Sequence, residues 1–457
     1  MLHSLLKFRQ LGKVSSTEPI RPFLATSIPG PNSIALLNHY QGVSQEHKNV
    51  KFFVDYEKSI GNYMADADKN LILDLDGQDG TSAIGYNHPS LAGYINSSNI
   101  KRTAMHRISC HTMPLSNWPE LIESVLLPLA PAGLGEVFNS CGCSAGSLEN
   151  AAKSASIWYF KNKYGSAYTA EQLSSAFENK PPGTPDFSLI TLSGSRHSNL
   201  LGLSSPSPYL PRLNFGVAPF PALNYRGDNR AAESKALEET RALFKSKGNV
   251  FGLIIEPIQR NGNHFASPWY YKELSKIAKE FNSALIIDET FSGFGGTGRL
   301  WAHEHFDIHP DILVYGGKTQ ISGYFMKPEF RPPQVYQVAN TWCGDALRLE
   351  QLRFVRSIME SQDLISNAAS VGQYLLDEIR ELGERLKQIE NARGLGLHIA
   401  FDFKNKESAW RFVKKMLDEG VLVNVTGNNT VQLSPALVFD KVHADVFLEA
   451  MTKALSN

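Results

Sequence analysis

Two charged residues, Asp288 and Lys318, each follow a short apolar stretch of the chain. Asp288 directly follows 284–287, and Lys318 follows 312–315 across two glycines. Apolar runs of this length predict buried strands, and ligands of open α/β sheets bind at the carboxyl ends of the strands. We therefore expect the Asp288 carboxylate and the Lys318 amine to meet at one edge of a sheet.

A lysine and an aspartate placed in this way are the pair that a pyridoxal 5'-phosphate site needs. The Lys318 amine would form a Schiff base with the cofactor aldehyde, and the Asp288 carboxylate would keep the pyridine nitrogen protonated. The phosphate needs backbone N–H groups at the start of a helix, and the stretch 140–147 can supply them. The residues expected to bind it are Gly142, Cys143, Ser144 and Ala145. Two structural alternatives stay open, because a strand-end aspartate is often a helix N-cap and Gly-Gly-Lys is often a surface turn.

The elements that must position these residues alternate between strand and helix from about residue 117 onward. Strands are predicted at 135–139, 187–192, 250–255, 284–287 and 312–315, and helices at 117–127, 147–163, 231–247 and 268–281. Glu256 directly follows one of these strands, so it is expected at the same edge as Asp288. Repeated βα units of this kind predict an α/β fold, with a mainly parallel sheet covered by helices on both faces.

The two ends of the chain have other patterns. Hairpin-like stretches are predicted at 52–56, 61–65 and 71–75, and a long helix after 345 leads into a small α+β unit with strands at 397–403, 421–424 and 431–434. We therefore divide the chain into a targeting segment, an N-terminal segment that joins the small domain and the active site, a large cofactor-binding domain and a C-terminal small domain. Their predicted limits are 1–20, 21–115, 116–345 and 346–457.

The targeting segment is predicted from composition. It contains Lys7, Arg9 and Lys13 among leucines and serines, and no acidic residue precedes Glu18. This composition is typical of a mitochondrial transit peptide, so we expect the protein in the mitochondrial matrix. An ordinary basic N-terminal arm is the alternative interpretation.

The overall composition excludes several classes of protein. The 457 residues include 45 basic and 45 acidic side chains, so the formal net charge is zero and a globally basic nucleic-acid binder is excluded. No apolar stretch is long enough to predict a membrane span. Four cysteines are too few for a disulfide scaffold at this length, and a reducing compartment is expected.

The stretch 250–332 resembles the class III aminotransferases of fold type I, and within them the mitochondrial 4-aminobutyrate (GABA) transaminases. The resemblance depends on the segments IIEPIQRNGNHFAS, IIDETFSGFGGTGRLWAHEH, ILVYGGKTQISGYF and NTWCGDALRLEQL. Further matches in the flanks, IGYNHPSL, LISNAAS and PALVF, extend it from about residue 50 to the C-terminus. It implies a pyridoxal 5'-phosphate enzyme with a mainly parallel sheet and a smaller α+β domain. It also implies a homodimer that acts on small amines or amino acids and on keto acids.

Four residues match the functional positions of that family. The resemblance makes Lys318 the Schiff-base lysine and Asp288 the partner of the pyridine nitrogen. It makes Thr341 the residue that binds the phosphate of the neighbouring subunit, and it places Glu256 at the active-site strand end.

Five other positions depart from the family pattern. Arg196 replaces the aromatic residue that stacks on the cofactor ring, and Phe291 replaces a glutamine that would touch it. Asn199 and Ser434 replace two substrate-binding arginines, and Asn261 replaces the glutamate that pairs with the second of them. Each lost arginine removes a bidentate, charge-assisted contact with a carboxylate, so an altered substrate pocket is expected.

Cys141 and Cys143 raise a separate question. Mammalian members of the resembling group hold an iron–sulfur cluster between subunits with a CxxC pair, whereas the spacing here is C-x-C. Four thiolates could still gather at a dimer axis, but a small loop cysteine is more often packed against its neighbours. We expect no metal site.

Two functions remain open from the sequence. The first is a pyridoxal phosphate-dependent transaminase with an altered substrate pocket. The second is a catalytically degenerate descendant that serves as a structural subunit of a larger mitochondrial assembly. The replaced pocket residues favour the second, and the retained Lys318, Asp288 and Thr341 favour the first.

Overall fold

A computed structural model describes residues 18–96, 98–106, 108–140, 143–165, 167–197, 215–340 and 342–456. The chain forms two compact units. The central unit comprises Arg107–Gly293 and Trp301–Leu352, and the terminal unit comprises the residues up to His106, Phe294–Leu300 and the residues from Arg353 onward.

The strands are numbered β1–β14 in chain order. The first seven are Tyr63–Ala65, Leu71–Asp74, Glu136–Ser140, Ser188–Leu192, Phe215–Ala218, Val250–Ile255 and Ala284–Glu289. The last seven are Ile312–Tyr315, Ser322–Met326, Ile389–Leu395, His398–Phe403, Val421–Leu422, Asn424–Thr426 and Thr430–Leu433.

The α-helices are numbered α1–α12 in the same way, without the short kinked turn at Gly77–Gly80. The first six are Pro31–Gln41, Leu91–Ile95, Ser98–Ala104, Trp118–Leu121, Ser144–Tyr164 and Ala170–Phe177. The last six are Arg230–Lys247, Pro268–Glu280, Ala346–Ser361, Leu364–Leu386, Lys406–Asp418 and Lys441–Ser456.

The central unit is built on a seven-stranded sheet in the order β3-β9-β8-β7-β6-β4-β5. All neighbours from β5 to β8 are parallel, whereas β9 runs antiparallel to both β8 and β3. Strands β6, β7 and β8 are adjacent and parallel, so their carboxyl ends lie side by side. The mainly parallel sheet predicted from the sequence is confirmed.

Helix α5 covers one face of this sheet. Its Leu148, Ala151 and Ala155 are fully buried in one cluster with Ile286 of β7 and Val314 of β8. The alanines let the helix approach closely, and burying each large aliphatic side chain contributes about 1.5–3 kcal/mol. Because alternate residues of a strand face opposite sides, the buried Ile287 of β7 points to the other face. Helix α7 packs against β5, and α8 packs against β7.

The terminal unit contains two smaller sheets. In the first, β1 pairs with β2 antiparallel and β12 pairs with β2 parallel. The second is antiparallel in the order β10-β11-β14-β13, which is the smaller α+β part expected from the resemblance. The buried Arg393 and the half-buried Asp402 form an ion pair across β10 and β11, with Nη1 and Oδ2 3.0 Å apart.

Several elements differ from their predicted form. The helix predicted at 117–127 is divided into α4, a π-helical segment at Ile122–Leu126 and a 3₁₀ turn at Leu127–Leu129. Pro128 has no N–H, so an α-helical ladder cannot continue through it. The single helix predicted after 345 is two helices, α9 and α10. Among the described residues, no helix has the length and apolar character needed to cross a membrane.

Candidate active site

Asp288, near the end of β7, is buried among groups that donate to it. Its Oδ1 accepts hydrogen bonds from the Thr290 backbone N–H at 3.0 Å and from Thr290 Oγ1 at 2.7 Å. Its Oδ2 lies 2.9 Å from Nδ1 of His197. The Thr290 bonds form a local turn that follows from an Asp two residues before a Thr, whereas His197 is brought in by the tertiary fold.

His197 links Asp288 to the neighbouring part of the sheet. Its Nε2 lies 2.7 Å from Oγ1 of Thr191 in β4, and its side chain is 5% exposed. Burial lowers the pKa of His197, but the hydrogen bond and the charge of Asp288, together with the charge of Glu256, outweigh burial and raise it. His197 therefore brings a hydrogen-bonding ring, favoured in its positively charged form, to the Asp288 carboxyl group.

Glu256 follows β6 and holds two loops by their backbones. Its Oε2 accepts the Arg196 N–H at 2.9 Å, and its Oε1 accepts the Arg260 N–H at 3.4 Å. Burial raises the pKa of Glu256 to about 7; the charge of Asp288 acts in the same direction, while His197 and the two N–H groups oppose it. Glu256 therefore changes its charge near neutral pH.

Lys318 lies in a 3₁₀ turn, Gly317–Thr319, which follows β8. It is 1% exposed, an unusual burial for a lysine. Gly316 and Gly317 allow the backbone before Lys318 to pass close to neighbouring parts of the chain. A Cβ on Gly317, whose φ is +61°, would lie 2.5 Å from the Thr290 carbonyl oxygen, and a Cβ on Gly316 would overlap Ser144 Oγ. The turn that carries Lys318 therefore lies against the turn that carries Asp288 and against the start of α5.

The start of α5 is suited to an anion. Cys143 is its N-cap and makes no side-chain capping bond, and the helix runs for 21 residues from Ser144. The first N–H groups of a helix have no partner within it and attract a phosphate. Cys143 is exposed, and Ser144 and Ala145 are half-buried. These residues, with Asp288 and Lys318, make a donor set that fits pyridoxal 5'-phosphate.

Some predicted site residues lie outside the part of the chain that the structure describes. These are Cys141, Gly142, Asn199 and Thr341. Within the described ranges, no three His, Cys, Asp or Glu side chains gather as a metal site would require.

Four of the five residues that depart from the family pattern lie within the described part of the chain, and their surroundings are as follows. Arg196 is exposed although the next residue, His197, is buried. Phe291 is 6% exposed, and the guanidinium carbon of Arg260 lies over its ring at 5.2 Å from the centre. Asn261 Nδ2 donates to the Gly194 carbonyl at 3.5 Å.

Ser434 belongs to the terminal unit, where its side chain is buried. Its Oγ lies 3.1 Å from Nδ1 of His398 and donates to the Leu433 carbonyl at 2.8 Å.

Sequence reasoning missed four residues of this site. The pattern Asp-x-Thr could have indicated Thr290, and the position of His197 just beyond a strand end could have indicated that residue. Thr191 lies within a buried strand and Arg260 within a loop, and neither carries a sequence signal for its role.

Comparisons with known proteins agree with this geometry. A family model described as aminotransferase class-III matches residues 44–455. The mitochondrial 4-aminobutyrate aminotransferase of Sus scrofa is 33% identical over 95% of this chain and 91% of its own length, and the 4-aminobutyrate aminotransferase of Mycosarcoma maydis is 34% identical over 96% and 92%. Among solved structures, a lysine aminotransferase from M. tuberculosis is similar in fold, with a TM-score of 0.82 at 24% identity over 92% of this chain and 98% of that one. The chain belongs to the class III aminotransferases, a family of pyridoxal 5'-phosphate-dependent enzymes.

Proposed function

We propose that this protein is an active transaminase that moves an amino group from a small amine or amino acid to a keto acid, with a substrate pocket altered from that of 4-aminobutyrate aminotransferases. The observation that supports activity best is the hydrogen-bonded chain from Thr191 through His197 to Asp288, beside the buried Lys318. A structural subunit would have no need to keep a buried histidine and aspartate paired in this way.

Each of these residues has a task in the proposed reaction. Pyridoxal phosphate, when bound, supplies an aldehyde and a ring that withdraws electrons from the substrate carbon. Asp288, hydrogen-bonded to His197, would hold the ring nitrogen together with its proton. The Lys318 amine would hold the cofactor through its aldehyde carbon and, once the substrate amine had displaced it there, would move a proton from the substrate carbon to that carbon. The N–H groups at Ser144 and Ala145 would hold the phosphate.

The altered pocket is proposed from the five departures from the family pattern. Asn199 and Ser434 carry no charge, and the Ser434 hydroxyl is engaged within the terminal unit. The paired glutamate is replaced by Asn261, so its loss and that of the second arginine leave no isolated buried charge. We propose that the pocket recognises its substrate through other side chains.

The test is a chemical label at Lys318. Purified full-length protein is incubated with pyridoxal phosphate, reduced with borohydride and digested, and the modified peptide is identified by mass spectrometry. We expect the label on Lys318 and its loss in Lys318→Arg, while Lys327→Arg, which replaces a half-buried lysine paired with Asp311, keeps it. Amino transfer to a keto acid should disappear in Lys318→Arg alone. Absence of the label from the wild-type protein would sink the proposal.

The alternative is a catalytically degenerate subunit of a mitochondrial assembly. It is favoured by Phe291 and Arg196, since neither reproduces the contact that the family makes with the cofactor ring at that position. A labelled Lys318 without amino transfer to any keto acid, together with co-purification in a complex of defined composition, would support this alternative.

We also propose a homodimer in the mitochondrial matrix and keep the four predicted domain limits. The side chains of Val335, Tyr336 and Trp342, which flank Thr341 in sequence, are 86%, 69% and 43% exposed, as expected for a surface that a second subunit covers. A monomer in light scattering would contradict the dimer. A reporter fused to residues 1–30 that stays in the cytosol would contradict import.

A further inference from the structure

Arg260 places a cation beside the candidate active site. Its guanidinium carbon lies 5.2 Å from the centre of the Phe291 ring, which is buried, and Arg260 is itself half-buried. A guanidinium over an aromatic ring is held by cation–π attraction, and this attraction strengthens as water is removed. Because a planar guanidinium carries its donors at its edge, an aromatic ring beneath it leaves the geometry of a bidentate carboxylate contact intact.

Phe291 connects this cation to the groups that would hold the cofactor. It follows Thr290, whose N–H and hydroxyl both donate to Asp288. The Thr290 carbonyl lies against Gly317, the residue before Lys318. The ring beneath Arg260 therefore belongs to the same turn that fixes Asp288 and adjoins Lys318.

A second arginine emerges from the neighbouring loop. The backbone N–H groups of Arg196 and Arg260 both donate to the Glu256 carboxyl group. The two loops are also joined by the bond from Gln259 Nε2 to the Ser193 carbonyl, at 2.8 Å, and by the weaker bond from Asn261 to Gly194. One buried carboxyl group thus holds together two backbone positions that each carry an arginine.

We propose that Arg260, held over Phe291 and with Arg196 on the adjoining loop, binds the carboxylate of the amino-group donor or acceptor. This inference rests on the proposed transaminase function and names the substrate class of the same site: small acids rather than simple amines. The site replaces the two arginines that the family places at Asn199 and Ser434, and it draws on a residue that the family pattern does not use.

The local electrostatics favour an incoming anion. Burial raises the pKa of Glu256 to about 7, so at neutral pH this carboxyl group carries less negative charge than an exposed glutamate would. Asn261, directly after Arg260, is neutral where the resembling family has a glutamate. Arg196 and Arg260 therefore have less negative charge near them than they would if Glu256 were fully ionised and a glutamate stood at position 261.

The first test measures binding without turnover. Glutarate is titrated into full-length wild-type protein and into Arg260→Gln by isothermal calorimetry, with pyridoxal phosphate present. Arg260→Gln should bind glutarate about tenfold to a hundredfold more weakly, as expected for a lost charge-assisted contact. The matched control is Arg230→Gln, which removes an exposed arginine lying 3.1 Å from the Trp269 ring centre, and it should change the Kd less than about twofold.

The second test separates acids from amines. With 4-aminobutyrate as donor, Arg260→Gln should raise KM with little change in kcat, whereas kcat/KM for butylamine, which lacks the carboxylate, should stay within about twofold. Arg260→Lys keeps the charge but not the planar fork, so it should restore only part of the affinity. It also serves as the informative variant if Arg260→Gln fails to fold.

The outcomes distinguish this inference from the proposed function. Glutarate binding that is absent from the wild type, or equally strong in Arg260→Gln, overturns the carboxylate site, even if Lys318 is labelled and active. Loss of glutarate binding in Arg260→Gln with no label on Lys318 supports the carboxylate site and rejects the transaminase.

Discussion

Replacing Glu256 with glutamine should change how the stability of the protein depends on pH. Burial displaces the pKa of Glu256 from 4.5 to about 7. Below pH 4.5 the group is protonated in both the folded and the unfolded chain. Between 4.5 and 7 the unfolded chain ionises while the folded chain does not, so the unfolding free energy falls as pH rises. Each pKa unit corresponds to about 1.4 kcal/mol, so the full loss is about 3 kcal/mol and is complete just above about pH 7.

The assay is urea unfolding of the wild type, Glu256→Gln and Glu238→Gln at about pH 4 and about pH 8.5, on either side of the transition. Glu238 lies on the exposed face of α7, so its replacement controls for the removal of one negative charge. From the lower to the higher pH, the unfolding free energy of the wild type and of Glu238→Gln should fall by about 3 kcal/mol more than that of Glu256→Gln. Glutamine also turns an N–H donor toward one backbone N–H, which lowers stability at both pH values without affecting this difference. Equal pH dependence in all three proteins would refute the assignment of Glu256 as a buried acid that titrates near neutrality.

Three further predictions follow from individual contacts. His197→Asn should weaken pyridoxal phosphate binding about tenfold or more in equilibrium dialysis, because it removes the charge-assisted bond to Asp288. Unchanged binding would contradict the role proposed for the hydrogen bond between His197 and Asp288. Gly317→Ala should lower the unfolding free energy more than Gly133→Ala. Both residues have positive φ, but only at Gly317 would the added Cβ collide with a carbonyl oxygen, that of Thr290. Equal urea midpoints for the two variants would contradict this. Burial lowers the pKa of His443, but its hydrogen bonds to Asp440 and Glu18 raise it to about 9. Glu18→Gln should therefore lower the unfolding free energy by about 1–3 kcal/mol at about pH 7, and by less at about pH 10, where His443 is no longer charged. An equal loss of unfolding free energy at both pH values would count against the ion pair of His443 and Glu18.

The parallel core of the sheet could be predicted from the sequence alone. The strands at Val250–Ile255 and Ile312–Tyr315 begin and end where the apolar runs do, because strands buried on both faces need an uninterrupted apolar run. Strands β5 and β9 were not predicted. Their residues, Phe215–Ala218 and Ser322–Met326, contain glycines that weaken strand propensity, and pairing with a neighbouring strand decides their conformation.

The candidate site also contains some residues that the sequence predicts and others that only the tertiary structure reveals. Asp288 and Lys318 could be identified from the sequence, because a charged residue at the end of an apolar strand is a local feature. The partners that give them their properties are distant along the chain. His197 contacts Asp288 across 91 positions, and Arg260 lies over Phe291 across a loop, a helix and a strand. Only the tertiary structure decides such pairs, because a hydrogen bond or a cation–π contact depends on distance in space, and the sheet order that sets that distance arises from the packing of the whole unit.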